Sequence, residues 1–286
     1  MSNSRDFPCL RDNVWKDDAG THLRRYGILS CVYGDSLPEG EYPEIFGELE
    51  RLAQNTARRA GFAEITLGSL NNNRGSWFEM MAAASLWNAS LALRRSTDLV
   101  TVHLPSATQG GVRLPSFLTN DVRNQIRGAE IFSSNTDFLC ARDLEWDRLP
   151  EVFNRQITSL SERNIQTLLH AHERLLARCG RGSIASMVAL KTSTRPDRRY
   201  QIMHEANLLK AIAIQLNRVN QDQEENPSFI VITTEPHDAD ERILRAPSFA
   251  SVTIGQPSPT VDQIFNVRTT AEMDDTATNI ISELVE

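Results

Sequence analysis

Apolar residues fall into short blocks whose period switches along the chain, and the switches set the expected elements. Ser186-Met-Val-Ala-Leu-Lys191-Thr-Ser is a β-branched and apolar run that predicts a mostly buried strand, and residues 229–234 (FIVITT) predict another. Residues 98–104 (DLVTVHL), ended by Pro105, predict a third. Residues 135–140 predict a short buried strand with an acid at its start, and residues 251–254 a weaker one. Helical spacing begins at Pro43, with Ile45, Phe46, Leu49, Leu52 and Ala53 on one face and Gly61 where the chain should leave the helix. Further helices are expected over residues 114–126, over residues 160–179 up to Gly180, and from near Tyr200 through Ile202, Leu208, Leu209, Ile212 and Leu216. The polar stretch 71–76 predicts a loop that ends in Ser76 as a helix N-cap, followed by an apolar helix over residues 77–87. Residues 1–40 read as irregular around the apolar run 26–33, a strand or a buried helix. Residues 261–286 read as one or two small helices. Strands alternating with helices predict an α/β or α+β layered fold around a mixed central β-sheet.

Length and composition narrow the class. At 286 residues and 40% hydrophobic, with no linker-like stretch, the chain is expected to form a single domain, residues 1–286. The four cysteines, Cys9, Cys31, Cys140 and Cys179, lack the spacing of a structural zinc site or a dense disulfide framework. No apolar run approaches the ~18 residues needed to span a bilayer, so a cytoplasmic protein with no membrane partner is expected. The net charge of −7 counts against a non-specific coat for nucleic acid, although arginines clustered on one face can still focus a positive potential, so net charge alone does not decide the partner.

The candidate chemistry lies where the pattern is broken. Lysine is scarce: Lys16, Lys191 and Lys210 stand against 27 arginines, and Lys191 ends an apolar strand, where a buried ammonium must be paired or functional. Pro196 breaks that strand, Asp197 sits between Arg195 and Arg198, and Glu205 falls in the early turns of the next helix. Glu79 is a carboxylate with apolar neighbours on both sides, and Asp137 is the acid at the start of the strand expected over residues 135–140. Phosphodiester hydrolysis needs carboxylates to hold a divalent metal and a cation near water and phosphate, which Glu79, Asp137, Lys191 and Glu205 could supply. A structural alternative stands beside it: a buried Lys191–Glu205 ion pair, Asp137 as a strand-end cap, and Glu79 closing a capping box with Ser76. His170 and His172, two apart, would face different sides of a helix and make a poor metal pair. No phosphate-binding GxxxxGK, nucleophile-elbow GxSxG, HExxH or GxGxxG motif competes.

Lys191-Thr-Ser-Thr-Arg195-Pro196-Asp197-Arg198-Arg199, followed by His204-Glu205, resembles the CCGG-cutting type II restriction endonucleases of the PD-(D/E)xK superfamily, in particular the tetrameric enzymes that cut purine-CCGG-pyrimidine. Asn73-Arg-Gly-Ser-Trp-Phe-Glu79, Ser134-Asn-Thr-Asp137-Phe-Leu and Val261-Asp-Gln-Ile-Phe265 fit the same family, whereas residues 1–70 match poorly. The resemblance implies a restriction-endonuclease-like mixed sheet flanked by helices and an Mg2+-dependent site. Asp137 and Glu205 would be metal ligands, Lys191 would polarise water and phosphate, and Glu79 would be a supporting acid. Two positions depart from the superfamily pattern. Ala189 stands where an acid usually precedes the lysine, a role the CCGG group gives to the following helix and Glu205 here; Thr136 replaces a proline before the first aspartate.

Arginine forks onto guanine O6 and N7 and a carboxylate accepts from cytosine N4, so Arg195, Asp197 and Arg198 offer partners for C·G pairs, and the resemblance makes them readers of a CCGG core in double-stranded DNA. Asn72 and Arg218 are candidates for the flanking bases. A homodimer or homotetramer and a cognate DNA methyltransferase are the implied partners. Two other functions are compatible with the residues: a DNA-binding regulator that has lost catalysis, and a metal-dependent nuclease of low specificity.

Overall fold

The computed structural model describes residues 7–17, 20–104, 136–193, 196–220, 227–235, 238–253, 255 and 257–284. The expected helix over 114–126 and Arg195 lie outside these residues, as does the side chain of Arg218, whose backbone is helical.

Among the described residues, a mixed five-stranded sheet has the order β3 (Val100–His103), β4 (Phe138–Ala141), β5 (Ile184–Lys191), β6 (Ser228–Thr233), β7 (Gln263–Asn266). The pairs β3/β4 and β4/β5 are antiparallel, while β5/β6 and β6/β7 are parallel. A second sheet pairs β1 (Val14–Asp17) with β2 (Gly20–Leu23) near the N-terminus. The parallel pairs require crossovers, supplied by α5 (Pro196–Asn220) and then by α6 (Asp238–Leu244) and α7 (Phe249–Thr253). Strand order advances in one direction through both, so right-handed crossovers put α5, α6 and α7 on one face. Helices α3 (Leu67–Leu93) and α4 (Glu162–Leu176) pack on β3, and α8 (Thr270–Glu283) packs on α3.

Helix α2 (Tyr42–Arg59) follows the expected apolar face, with Pro43 in its first turn, and Gly61 beyond its end has φ +72°, a conformation that a side chain disfavours. The apolar run 26–33 is largely a buried helix, α1 (Gly27–Val32). Buried Trp77, Phe78, Trp87, Phe138 and Phe229 belong to one continuous core that reaches from Leu10 to Ile281.

Four expectations are corrected. Residues 71–76 are not a loop: α3 starts four residues earlier, capped by Thr66, whose hydroxyl accepts from Ser69 N at 3.2 Å. Weak helix formers are held there by tertiary contacts, since Arg74 grips Glu50 of α2 and Leu70 enters the core. Ser76 is therefore no N-cap, and Glu79 lies in mid-helix with no capping box. Helix α5 starts at Pro196 rather than near Tyr200, because proline suits a first helical position. Residues 251–253 are helical, part of α7, where Ser248 and Ser251 bind each other and Ser258. The tail opens with a strand, β7, before its helix, because β6 offers it a parallel edge.

The sequence-distant Cys9 and Cys31 form a disulfide, brought together because the 3-10 turn Pro8–Asn13 packs on α1. No helix of the described residues is long and apolar enough to cross a membrane.

Candidate active site

One end of the central sheet gathers the polar residues. It is the end where β3, β5, β6 and β7 stop and β4 begins, so His103, Asp137, Lys191 and Thr233 stand along one edge. Asp137 immediately precedes β4. Its amide donates to Val188 O at 3.1 Å, and its Oδ2 accepts from Leu190 N at 2.7 Å. Where the strand ladder runs out, the carboxylate thus takes the place of a backbone acceptor, which seats it beside the residue that precedes Lys191.

Alternation along β5 puts Lys191 on the face of Ala189 and Met187, and Ser186 on the other. By strand register Ser186 shares its face with Cys140 and Thr101, and His103 of that same face meets Glu79 of α3. Lys191 therefore lies on the face away from α3, the face crossed by α5. It is 7% exposed, and among the described residues it takes part in no salt bridge. The structural alternative of a buried Lys191–Glu205 ion pair is thus not found among the described residues. Thr234 N on Lys191 O and Thr234 Oγ1 on Thr192 O pin the strand end to β6. Glu205 is buried on α5 in the stripe of Ile202, Ala206, Leu209 and Ile212, so a carboxylate occupies a position that packing alone would give to an apolar residue.

Glu79 is reached differently. Its Oε1 meets His103 Nε2 at 2.6 Å and its Oε2 accepts from Arg25 Nη2 at 3.0 Å. The amide of His103 donates to Nδ1 of His172 at 3.1 Å, and burial holds the His172 ring well below the usual histidine range, hence neutral at neutral pH. His170 of the same helix faces outward. The structure therefore joins Asp137 to Lys191 through the backbone, places Glu205 on the crossover helix, and attaches Glu79 to the end of β3. Arg25 and His103 were missed in the sequence. Only His103 left a signal there, as a polar residue closing an apolar strand.

At the start of α5, Asp197 is exposed and Arg198 half-exposed, with Nη1 on Gln201 Oε1 at 3.2 Å and Nε 4.0 Å from Asp197 Oδ2. Asp197 and Arg198 thus belong to a helix N-terminus rather than to a free turn, a setting that favours the aspartate. Asn72 is exposed on α3. The second buried lysine, Lys210, has another environment: Nζ is 2.9 Å from Asp262 Oδ1 and also donates to Pro259 O, while Asp262 Oδ2 accepts from Phe229 N at 2.7 Å. It ties α5 to the segment that leads into β7.

Among the described residues no three His, Cys, Asp or Glu side chains gather into a metal cage. Two buried carboxylates still suit Mg2+, which is commonly held by one or two carboxylates with water and substrate phosphate completing its shell.

Comparison with known proteins finds relatives of one kind. The family model described as "Cfr10I/Bse634I restriction endonuclease" matches residues 16–283. The type II restriction enzyme Cfr10I of Citrobacter freundii is 24% identical over 257 residues, 85% of this chain and 88% of that protein. The structure of the type IIF restriction endonuclease Bse634I with cognate DNA superposes with a TM-score of 0.82 at 24% identity, covering 95% of this chain and 99% of that one. A second Bse634I structure gives 0.81 at 24% identity, over 98% and 99% of the two chains.

Proposed function

The chain belongs to the Cfr10I/Bse634I restriction endonuclease family, and from that premise we propose that it cuts double-stranded DNA at a palindromic site with a CCGG core, R/CCGGY, in an Mg2+-dependent reaction. It is a site-specific endonuclease. The observation that carries the finer reading is the seating of Asp137 on Leu190 N beside Lys191, a buried ammonium outside any salt bridge among the described residues. Asp137 and Glu205 would hold Mg2+, which when bound lowers the pKa of water and polarises the scissile phosphate. Lys191 directs its positive charge at the attacking water and the non-bridging oxygens, where negative charge grows in the transition state. Glu79 supports the site from the α3 side. Attack of water forms a new P–O bond and breaks the bond to O3′, which leaves with a proton as a 3′-hydroxyl and gives 5′-phosphate ends.

The continuous core supports treating residues 1–286 as a single domain. Digestion of a plasmid library with Mg2+ present, followed by sequencing of the ends, tests the reading. Cuts confined to R/CCGGY support it; scattered cuts, or binding without cutting, overturn it.

Base reading falls to Arg195, Asp197 and Arg198, with Asn72 and Arg218 at the flanking pairs. Arg198→Lys keeps the charge but removes the planar fork. It is expected to lose roughly 1–3 kcal/mol of discrimination against a wrong pair in the core, read by competition binding at fixed salt. Equal weakening on all duplexes would make Arg198 a backbone clamp instead.

A palindrome is read most simply by a two-fold dimer, and the family supports a pair of such dimers. A tetramer by light scattering, and faster cutting of two-site than of one-site plasmids, are expected; a dimer with equal rates on both would refute this assembly. The enzyme's cognate methyltransferase would protect the same sequence.

A further inference from the structure

We propose that Arg25, carried by the N-terminal segment, is a positioning residue for cleavage that acts through Glu79; the inference rests on the reading of the site given above. Glu79 is 6% exposed in the middle of α3, and a carboxylate buried there needs partners for both oxygens. It has them, His103 on Oε1 and Arg25 on Oε2. Arg25 straddles one turn of α3, with Nη2 on Glu79 and Nε 3.4 Å from Ser76 Oγ, and its guanidinium also lies 5.0 Å from the centre of the Tyr26 ring.

The segment that presents Arg25 is itself built for placement. Arg24 N donates to Asn13 O and Gly27 N to Arg24 O, both at 3.0 Å. Gly27 opens α1 so closely against Asn13 that a Cβ there would meet Asn13 Oδ1 at 2.0 Å. Asn13 is held in turn by Nδ2 on Cys9 O. On its other oxygen Glu79 holds His103, whose strand neighbour is Phe138, the residue after Asp137, while Leu104 N donates to Asp137 O. Arg25 therefore fixes a carboxylate whose histidine partner pairs with Phe138, the residue after Asp137.

The test is a double-mutant cycle of Arg25→Ala and Glu79→Gln in the full chain, read as single-turnover cleavage of a plasmid with one R/CCGGY site. Duplex binding in Ca2+ and thermal melts accompany it. Arg25→Ala is expected to slow cleavage by about 10–100-fold, the size typical of groups that orient metal-site ligands, with duplex affinity unchanged. The double variant should be no slower than Glu79→Gln alone, and Arg25→Lys should recover part of the rate. Simple loss of fold would instead multiply the two effects and lower the melting temperature further in the double variant. Multiplicative rates overturn the inference. So does weaker binding with a salt slope lowered by about one, which would make Arg25 a phosphate contact. A Glu79→Gln protein that cuts normally removes Glu79 from the site and sinks the inference along with that assignment. A wild-type protein that cuts no such plasmid refutes the function itself.

Discussion

Lys191→Ala and Glu205→Ala are each expected to abolish cleavage while binding to a CCGG duplex in Ca2+ persists. A thousandfold loss of rate is about 4 kcal/mol of barrier, within what an electrostatic catalyst loses when one group is removed. The geometry separates this outcome from a failure to fold. Had Lys191 been locked in a buried ion pair, its removal would strand a carboxylate and destabilise the protein by about 3–5 kcal/mol. Lys191 has no salt bridge among the described residues, and its strand end is pinned by Thr234, so Lys191→Ala should melt near the wild-type temperature. Cleavage by either variant at near wild-type rate would refute the assignment of the metal site, and circular dichroism checks the fold.

The opposite result is expected for Lys210→Ala. Lys210 is as buried as Lys191, but its ammonium bridges Asp262 and Pro259 O, and Asp262 in turn caps the amide of Phe229 at the start of β6. Its removal leaves a carboxylate short of its cation and loosens α5 from the segment entering β7. Asp262 keeps a quarter of its side chain in solvent, so the cost should fall at or below the lower end of the ~3–5 kcal/mol range for a broken buried pair. A thermal midpoint lowered by several degrees, with cleavage retained at temperatures where the variant is folded, is the expected pair of readings. A variant with unchanged midpoint and lost cleavage would move Lys210 into the active site.

These two lysines mark how far the chain could be read without its fold. Both interrupt apolar patterns, and a buried ammonium demands an explanation in either place. What distinguishes them is a partner 52 residues away for one and, among the described residues, no salt-bridge partner for the other. No periodicity carries that information.

By itself the sequence determined the elements whose signals are local. The apolar run of β5 ending in Lys191, the face of α2 with Pro43 and Gly61, and the strand that became β6 depend on side-chain alternation and backbone preference within a few residues. The family motif around Lys191, Asp197 and Glu205 was legible for the same reason, since it is contiguous. Tertiary structure alone decided the rest. Residues 71–76 have loop-forming composition, yet α2 and the core hold them in α3. Residues 263–266 became a strand because β6 presented an unpaired edge. The partners of Glu79 come from 54 residues before it and 24 after it. A buried charge states in the sequence that it needs compensation, but which group compensates it is settled only when distant segments close on one another.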